Sequence, residues 1–497
     1  KKTKATEAIK EYLEKKCERL QKYSEDEIDV QVTIKTEGIN QVAELSAAIN
    51  GDIYRAVTEN KDLYASIDKN IDIIEGQIRK MKTKKQEIKQ GIKLHTINTN
   101  KFKTNLVAVF LSIPITRENV TFNSVLSSVL RRGSKNMPTQ EQISKELENM
   151  YGASFDCGIS KTGDNHILKF YMESINDKFL PQNGENMLKQ SIEKLLEIVF
   201  NPLVENEKFK QEYVEQEKNN VRRRIEGKID NKAKYAIERC IEEMYKNEPY
   251  GLYQYGYIED LEKINADTLY KYYRELINTC KIDISVSGKI DSDISKVLIE
   301  NESIKNLNPR EPKYVQTATI EKEKKEEKTI YESMEVTQGK LIIGMDIAIK
   351  NEKEKYKISV YNAILGGSAT SKLFQEVREK ASLAYTASSN FVRHKGNIMI
   401  NCGIEIKNYE KALEIIKKQL EDIKNGKFTD EDLSNGKKGI ISAIKGIEEE
   451  QDTEITYYFG QELSGNEIGI EEYINEIENV TREDILNVAN SVNINTI

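Results

Sequence analysis

The sequence has little of what membrane insertion, disulfide bonding or metal binding requires. Its 497 residues include no Trp, 7 Pro, 5 Cys and 3 His. The longest apolar run, residues 106–115, is interrupted by Ser112 and Pro114 and is shorter than the about 20 residues that a membrane helix needs. No two cysteines form a CxxC pair, so the sequence indicates neither a thiolate zinc site nor a disulfide framework. We therefore expect a protein of the reducing cytoplasm without membrane contact.

Charged and apolar residues are balanced along the chain. Charged residues make up 32% and hydrophobic residues 38%, which is typical of an ordered, helix-rich protein. The length predicts about three domains, because a single hydrophobic core of this size is uncommon. A formal net charge of -7 disfavours wholesale nucleic-acid binding and leaves room only for a local basic patch.

Residues 1–88 have the pattern of a small α/β unit. Apolar residues at helical spacing follow Thr6, and alternating apolar residues at 28–34 predict a half-buried strand. Further short strands are expected next, followed by a long amphipathic helix that begins near residue 63. The end of this helix is basic, and the residues concerned are Arg79, Lys80, Lys82, Lys84 and Lys85. On pattern alone, they are either favourable charge at a helix C-terminus or contacts for nucleic-acid phosphates.

The wording of this segment resembles the N-terminal domain of ribosome hibernation-promoting factors. The matching phrases are TEAIKEYLEKKCERLQKY and LYASIDKNIDIIEGQIRKMKTKK. The resemblance implies a β-α-β-β-β-α domain that docks in the mRNA and tRNA channel of the small ribosomal subunit, with the basic cluster contacting rRNA. The family's first strand is expected to be missing ahead of Lys1. Residues 1–90 hold 18 Lys and Arg against 17 Asp and Glu, so any hold on rRNA must come from local clusters.

The rest of the chain contains a duplication of strands and helices. A buried strand at 106–115 is followed by a helix, two strands at 151–161 and 165–173, and long helices. The same order begins again with the strand at 340–349. We predict an α+β protein with mostly antiparallel sheets. Its domains are the small unit (1–88), a first half (91–303), a polar linker (304–328) and a second half (329–497).

The two halves resemble insulinase or pitrilysin-type zinc peptidases. In that family an inverted zinc motif, HxxEH, lies upstream of a glycine, which here is Gly133 in the phrase VLRRGSKNMPTQEQISKELENMYGAS. The resemblance puts the two histidine positions at Ser124 and Ser128 and the general base at Ser127. The third ligand position falls on Arg224, in the helix where Glu217 matches the family's supporting acid.

These replacements predict a pseudoenzyme that binds no metal and has no catalytic residue of its own. A serine hydroxyl is a poor zinc ligand, and an arginine puts fixed positive charge where a cation should bind. His95, His166 and His394 form no i, i+4 pair, and we expect them to be structural. No serine, histidine and aspartate set supports a hydrolase of another kind.

The second half keeps a segment that resembles the same family, GGSATSKLFQEVREKASLAYTASS. In the family an Arg and a Tyr at this spacing reach the substrate in the active site, and here they are Arg378 and Tyr385. An arginine can donate several hydrogen bonds to peptide carbonyls, and a phenol can donate to a developing oxyanion. Spacing alone favours a structural role, in which Arg378 pairs with a neighbouring acid and Tyr385 packs on a strand. The resemblance of the surrounding phrase favours the role in substrate binding instead.

Two functions of different classes follow from these resemblances. Some members of the peptidase family are heterodimers, in which one subunit supplies zinc and the other supplies the Arg and Tyr pair. The first hypothesis is therefore a non-catalytic, peptide-binding subunit whose partner carries HxxEH and zinc. The alternative is a ribosome-associated hibernation or translation-inhibiting factor that uses its peptidase-like part as a scaffold.

Overall fold

The computed structural model describes residues 6–21, 23, 28–49, 52–181, 186–290, 293–323 and 325–497. The small N-terminal unit consists of α1 (Glu7–Gln21), β1 (Asp29–Glu37), β2 (Asn40–Ile49), β3 (Asp52–Asn60) and α2 (Leu63–Lys82). Its three strands form an antiparallel sheet in the order β1-β2-β3. Alternate residues of the strands, such as Leu45 and Ala56, are buried against Ile71, Ile74 and Ile78 of α2. The half-buried strand predicted at 28–34 thus corresponds to β1, which begins one residue later and extends to Glu37.

The first half is built on a six-stranded sheet in the order β4-β5-β11-β6-β8-β7, in which only β5 and β11 are parallel. Its elements are β4 (Thr83–Lys89), β5 (Ile92–Asn98), β6 (Thr104–Pro114), α3 (Val120–Leu130), α4 (Gln140–Asn149), β7 (Ser154–Thr162), β8 (Asn165–Ile175), α5 (Met187–Phe200), β9 (Val204–Glu205), β10 (Lys208–Phe209), α6 (Gln211–Glu226), α7 (Lys232–Met244), α8 (Ile258–Leu261), α9 (Ala266–Thr279), β11 (Lys281–Gly288), α10 (Ile294–Glu300) and α11 (Glu302–Lys305).

Strand β4 differs from the sequence prediction, which assigned residues up to 88 to the small unit. In the structure β4 pairs with β5 along its length and forms an edge of the six-stranded sheet. The small unit therefore ends with α2, and its last helix continues directly into the sheet of the first half. The composition of β4, TKKQEIK, is too polar to predict this strand, because an edge strand needs few apolar residues.

The second half repeats the architecture with a four-stranded sheet in the order β13-β14-β12-β15. Its elements are β12 (Gly339–Asp346), α12 (Glu352–Gly366), a π-helix (Phe374–Lys380), β13 (Ala384–Val392), β14 (Asn397–Ile404), α13 (Tyr409–Lys424), α14 (Asp430–Gly446), α15 (Gln451–Ser464), α16 (Ile470–Glu478), α17 (Arg482–Ser491) and β15 (Asn493–Thr496).

The backbone next to β15 completes the likeness between the halves. The Lys328 N–H donates to the Asn495 carbonyl at 3.0 Å, and the Ile330 N–H donates to the Ile497 carbonyl at 2.9 Å. Lys328 and Thr496 bridge in the parallel sense, as β5 and β11 do in the first half. The predicted α+β class is confirmed, and the two halves share one order of strands.

Each half lends a helix to the sheet of the other half. Helix α15 packs on the first sheet, where the Phe459 ring stacks on the Phe110 ring with centroids 4.3 Å apart. Helix α7 packs on the second sheet, where Met244 lies among Ile342 and Met399. This exchange fixes the two sheets relative to each other, because neither helix can leave without exposing buried apolar surface. No helix in the described part of the chain is long and apolar enough to cross a bilayer.

Candidate functional site

The three serines at the predicted zinc-motif positions lie on α3, and each hydroxyl is used within the helix. Ser124 Oγ donates to the Val120 carbonyl at 3.3 Å. Ser127 Oγ and Ser128 Oγ both donate to the Ser124 carbonyl, at 3.2 and 3.3 Å. Ser124 and Ser127 are buried. Serine side chains inside a helix commonly donate in this way to a carbonyl of the preceding turn.

Helix α6 packs against α3 and carries the two remaining positions of the predicted site. Arg132, just after α3, donates from Nε to Glu217 Oε1 at 2.5 Å, and Asn220 Nδ2 donates to Glu217 Oε2 at 3.0 Å. Arg224 lies about two turns further along the helix and is exposed. Its guanidinium lies 4.9 Å from the centre of the Tyr255 ring. Glu217 is therefore committed to an arginine, and Arg224 is stacked on an aromatic ring.

These residues do not fit a zinc ion. Zinc in proteins takes thiolate, imidazole or carboxylate ligands, whereas the two helices present hydroxyls that already donate and a permanent cation. Across the residues that the structure describes, no group of three or more His, Cys, Asp and Glu could hold a metal. Burial raises the pKa of the nearby Cys157 to about 12, so its thiol is protonated at neutral pH.

A tyrosine-rich loop next to α3 was not predicted from the sequence. The segment YGLYQYGY at 250–257 lies against α3, where the Tyr257 N–H donates to Thr121 Oγ1 at 3.1 Å. Gly256 has a φ of +83°, and a Cβ there would lie 2.2 Å from Thr121 Oγ1. The Ser124 hydroxyl is also 3.4 Å from the Gln254 carbonyl oxygen. The density of tyrosine and glycine in this segment was the available signal, and it did not say which helix the loop would contact.

The histidines occupy three separate structural positions, in β5, in β8 and in the β13–β14 turn. His95 Nε2 lies 3.0 Å from Asp283 Oδ1, and His166 Nδ1 lies 3.0 Å from Asn123 Nδ2. His394 Nδ1 lies 2.8 Å from Thr317 Oγ1. Burial lowers the pKa of both His166 and His394 to about 3, so these rings are neutral at physiological pH. None of the three meets another histidine.

Arg378 and Tyr385 lie where the backbone of the second half departs from regular geometry. Arg378 belongs to the π-helix, a form that is rare in proteins and frequent at functional sites. Ser382 then adopts a left-handed φ of +51°. The register of β13 against β14 shifts between Ala384 and Thr386, which places a β-bulge at Tyr385. Bulges re-aim a side chain, and this one leaves Tyr385 60% exposed at the sheet edge.

The side chains of this pair are open to solvent. Arg378 Nε lies 3.7 Å from Glu379 Oε1, which is too long for a hydrogen bond, and the guanidinium lies 4.5 Å from the centre of the Phe374 ring. Tyr385 is on a strand but is not packed into the core. Between this pair and the residues of α3 and α6, the structure shows no hydrogen bond or ion pair in the part of the chain that it describes. The two groups of predicted residues thus lie in different halves.

The predicted rRNA-contacting residues lie at the end of α2 and at the start of β4. The side chains of Arg79, Lys80 and Lys82 lie outside the described part of the structure. Lys84 is exposed on β4. Lys85 pairs with Glu462 at 2.5 Å and with Glu467 at 3.0 Å, so its charge is already balanced within the chain. This pairing was not predicted, since β4 lies beside α15 of the second half, and the contact of Lys85 with rRNA stays a prediction.

Comparison with known proteins gives two family matches. The model of the Peptidase M16 inactive domain matches residues 263–440, and that of the Sigma 54 modulation protein / S30EA ribosomal protein matches residues 1–86. The chain is 34% identical over 417 residues to the probable inactive metalloprotease YmfF of Bacillus subtilis (strain 168). That alignment covers 82% of this chain and 95% of YmfF.

One solved structure and one hibernation factor extend the comparison. A conserved protein from Enterococcus faecalis V583 superposes with a TM-score of 0.75 at 27% identity, covering 84% of this chain and 97% of that protein. The N-terminal segment is 36% identical over 91 residues to the ribosome hibernation promotion factor of Deinococcus radiodurans. That match covers 17% of this chain and 47% of the factor, so the chain spans about half of the factor's length.

Proposed function

The chain belongs to the M16 peptidase family as an inactive member with an N-terminal hibernation-factor-like domain, and from this we propose that it is the peptide-binding subunit of a heterodimeric metallopeptidase. Both resemblances found in the sequence are confirmed at the level of the family. Beyond the family, we propose the peptide-binding role and the existence of a partner subunit. The partner would be an M16 subunit that carries HxxEH and holds the zinc ion.

The observation that carries the proposal is the exposure of Tyr385 on a bulged edge strand, next to an open Arg378. A tyrosine that is 60% exposed and an arginine without a hydrogen-bonded carboxylate contribute little to the stability of this chain alone. Both side chains can still donate hydrogen bonds to a bound molecule. A π-helix, a serine with left-handed φ and a β-bulge lie within twelve residues here. Such backbone conformations cost free energy and cluster at functional sites, which supports a role for this surface in binding.

The chemistry required of this chain is positioning and hydrogen bonding. Arg378 would donate to carbonyl oxygens of an unfolded peptide, and Tyr385 would donate from its hydroxyl to the oxyanion that develops at the scissile carbonyl. The partner's zinc would supply the activated water. The division is consistent with the loss of ligands at Ser124, Ser128 and Arg224, since a second zinc site in the same chamber would have no function.

The test is reconstitution of the pair from separately purified chains. An M16 subunit with HxxEH from the same genome is mixed with this chain, complex formation is followed by size, and hydrolysis of an unstructured peptide is measured. We expect each chain alone to be inactive and the mixture to be active. We also expect metal analysis of the mixture to find zinc only with the partner. Tightly bound stoichiometric zinc in this chain, or full activity of the partner without it, would contradict the proposal.

A second candidate function is ribosome association in the cytoplasm, and the family match over residues 1–86 favours it. Because this segment is nearly neutral and Lys85 is paired with Glu462, we expect weak binding with a steep dependence on salt. The full chain would be sedimented with small ribosomal subunits at low and at moderate salt. Tight binding that is insensitive to salt, or no binding at low salt, would exclude this version of the hypothesis.

A further inference from the structure

A half-open cavity of about 480 Å³ lies between α7 of the first half and the end of the second sheet. Its walls are formed by α7, by the extended segment 329–338, and by the adjoining ends of β12, β14 and β15. The volume lies within the range of small-molecule sites, about 300–1,000 Å³. The wall is mainly apolar, with Ala236, Ile330, Leu341, Ile342, Ile404 and Ile406 among its residues. Neither the zinc-motif positions nor the Arg378 and Tyr385 pair belongs to it.

The carboxylates on the wall are already neutralised. Glu332 accepts from Arg239 Nε at 2.7 Å and from the Tyr235 hydroxyl at 3.2 Å. Glu243 lies 3.4 Å from Arg239 and 3.6 Å from Lys328. Arg239 is therefore paired with acidic side chains of this chain. Burial alone would lower its pKa, but these carboxylates raise it above its ordinary value. The carboxylates of Glu332 and Glu243 thus already have cationic partners within the chain.

Two ammonium groups on the wall are not neutralised in this way. Lys232 begins α7 and Lys340 follows the first residue of β12, and both are half-buried. Lys340 Nζ donates to the amide oxygen of Gln338, a neutral acceptor. Within the described ranges neither lysine has a carboxylate at ion-pair distance. The cavity therefore combines an apolar wall with uncompensated positive charge.

From this combination we infer that the cavity binds a medium-chain fatty carboxylate, with its hydrocarbon chain against the apolar wall and its carboxylate at Lys232 and Lys340. Burying the hydrocarbon chain supplies the affinity, and an anionic head group is the complement of two ammonium groups that have no carboxylate partner. A peptide fits less well, because every residue of it brings a backbone donor and acceptor that need partners. The polar side chains Arg239, Glu243, Glu332 and Tyr235 pair with one another instead.

The test uses the whole chain, without any partner, and calorimetric titration with decanoate below its micelle concentration. Decyltrimethylammonium carries the same chain with the opposite charge, and a short peptide ending in leucine carries a carboxylate on a peptide. We expect saturable binding of decanoate, at least about tenfold tighter than that of decyltrimethylammonium. Lys232→Met and Lys340→Met keep the apolar stem and remove the charge, and each should weaken decanoate about three- to tenfold. Lys234→Met, on the same helix but outside the cavity, should leave the affinity unchanged.

Three results would overturn the inference. The first is the absence of saturable decanoate binding to a chain shown to be folded by circular dichroism. The second is equal affinity for the anionic and cationic amphiphiles, or equal affinity of all three lysine variants. The third is displacement of decanoate by the leucine-ended peptide at comparable concentration, which would assign the cavity to a peptide. Because no partner subunit takes part, these outcomes are independent of those for the proposed peptidase complex.

Discussion

Lys395 Nζ lies 3.0 Å from Asp164 Oδ1 and joins the hairpin turn of the first half to the equivalent turn of the second half. The same ammonium is 3.1 Å from Glu248 Oε2, and the Lys395 side chain is only 8% exposed. The Lys395 ammonium group thus connects the hairpin turns of the two sheets through Asp164 and also pairs with Glu248. Its two carboxylates are partly solvated, which limits what the link contributes to stability.

Removing this link should destabilise the chain moderately. Lys395→Met leaves Asp164 and Glu248 close together without their common cation, and we expect a loss of about 1–2 kcal/mol, below the 3–5 kcal/mol typical of a fully buried pair. Urea unfolding of the whole chain measures it. Lys271→Met, which removes an exposed i, i+4 partner of Asp267, is the matched control and should change little. A loss no greater than that of the control would mean that the halves do not depend on Lys395.

Glu462 should make the stability of the chain depend on pH in the acid range. Burial of this carboxylate would raise its pKa, but Lys281, Lys85 and Lys93 together lower the pKa below its ordinary value of 4.5. A lowered pKa means that the ion pairs stabilise the fold fully above about pH 4.5 and lose this effect as pH falls through the folded pKa. We expect Glu462→Gln to cost about 2 kcal/mol at neutral pH and progressively less below pH 4.5.

The measurement is denaturant unfolding of the wild type and of Glu462→Gln between neutral and acid pH. Glu300→Gln, at an exposed position that faces Lys296 at 3.9 Å, is the control, and its difference from the wild type should stay flat. If the stability difference between the wild type and Glu462→Gln grew as the pH falls, the pKa of Glu462 would be raised rather than lowered, contrary to the prediction. The nearby Asp283, whose pKa is also lowered, keeps its own pairing with Lys281 in both proteins.

The sequence predicted the elements of the fold well and their long-range partners poorly. Strands β6 and β12 could be predicted, because the apolar runs at 106–115 and 340–349 are themselves typical of buried strands. The exchange of α7 and α15 between the halves has no local signal, because either helix could bury its apolar face on either sheet. The pairing of Lys85 with Glu462 depends on that exchange, and the basic cluster therefore resembled a free surface.

The candidate site divides in the same way. The resemblance to the family assigned Ser124, Ser127 and Ser128 to one helix and Arg224 to another, and the structure has them on α3 and α6. A motif could predict this much, because it specifies spacings within a single helix. The bulge and the π-helix around Arg378 and Tyr385 could not be predicted. The bulge is a register shift between β13 and β14, which depends on how the two strands pair, and the residues of the π-helix have the pattern of an ordinary helix.

Gly256 should be essential for the loop that covers α3. Its φ of +83° is unfavourable for any other residue, and a Cβ would lie 2.6 Å from Thr121 Cα. We expect Gly256→Ala to cost about 2–4 kcal/mol, from a left-handed backbone at about 1–2 kcal/mol and overpacking at about 1–3 kcal/mol. Thermal and denaturant unfolding measure this cost. Gly439→Ala, in helix α14 with no atom within 4 Å of the added Cβ, should be neutral or slightly stabilising and serves as the control.

Tyr385 and Arg378 decide whether the chain takes part in peptide hydrolysis. Tyr385→Phe removes one hydroxyl and keeps the ring, so in the reconstituted pair we expect unchanged assembly and a fall in kcat of about 10²- to 10³-fold, as for other oxyanion donors. Arg378→Ala removes a donor used in both ground and transition states, so KM should rise as well as kcat fall. Tyr64→Phe and Arg274→Ala, which lie outside the site, are the controls. Because Tyr385 and Arg378 are exposed, neither change should alter unfolding of the isolated chain. If both variants form the complex and cleave peptide at the wild-type rate, the segment is a structural remnant, and the ribosome-associated scaffold becomes the better explanation of the chain.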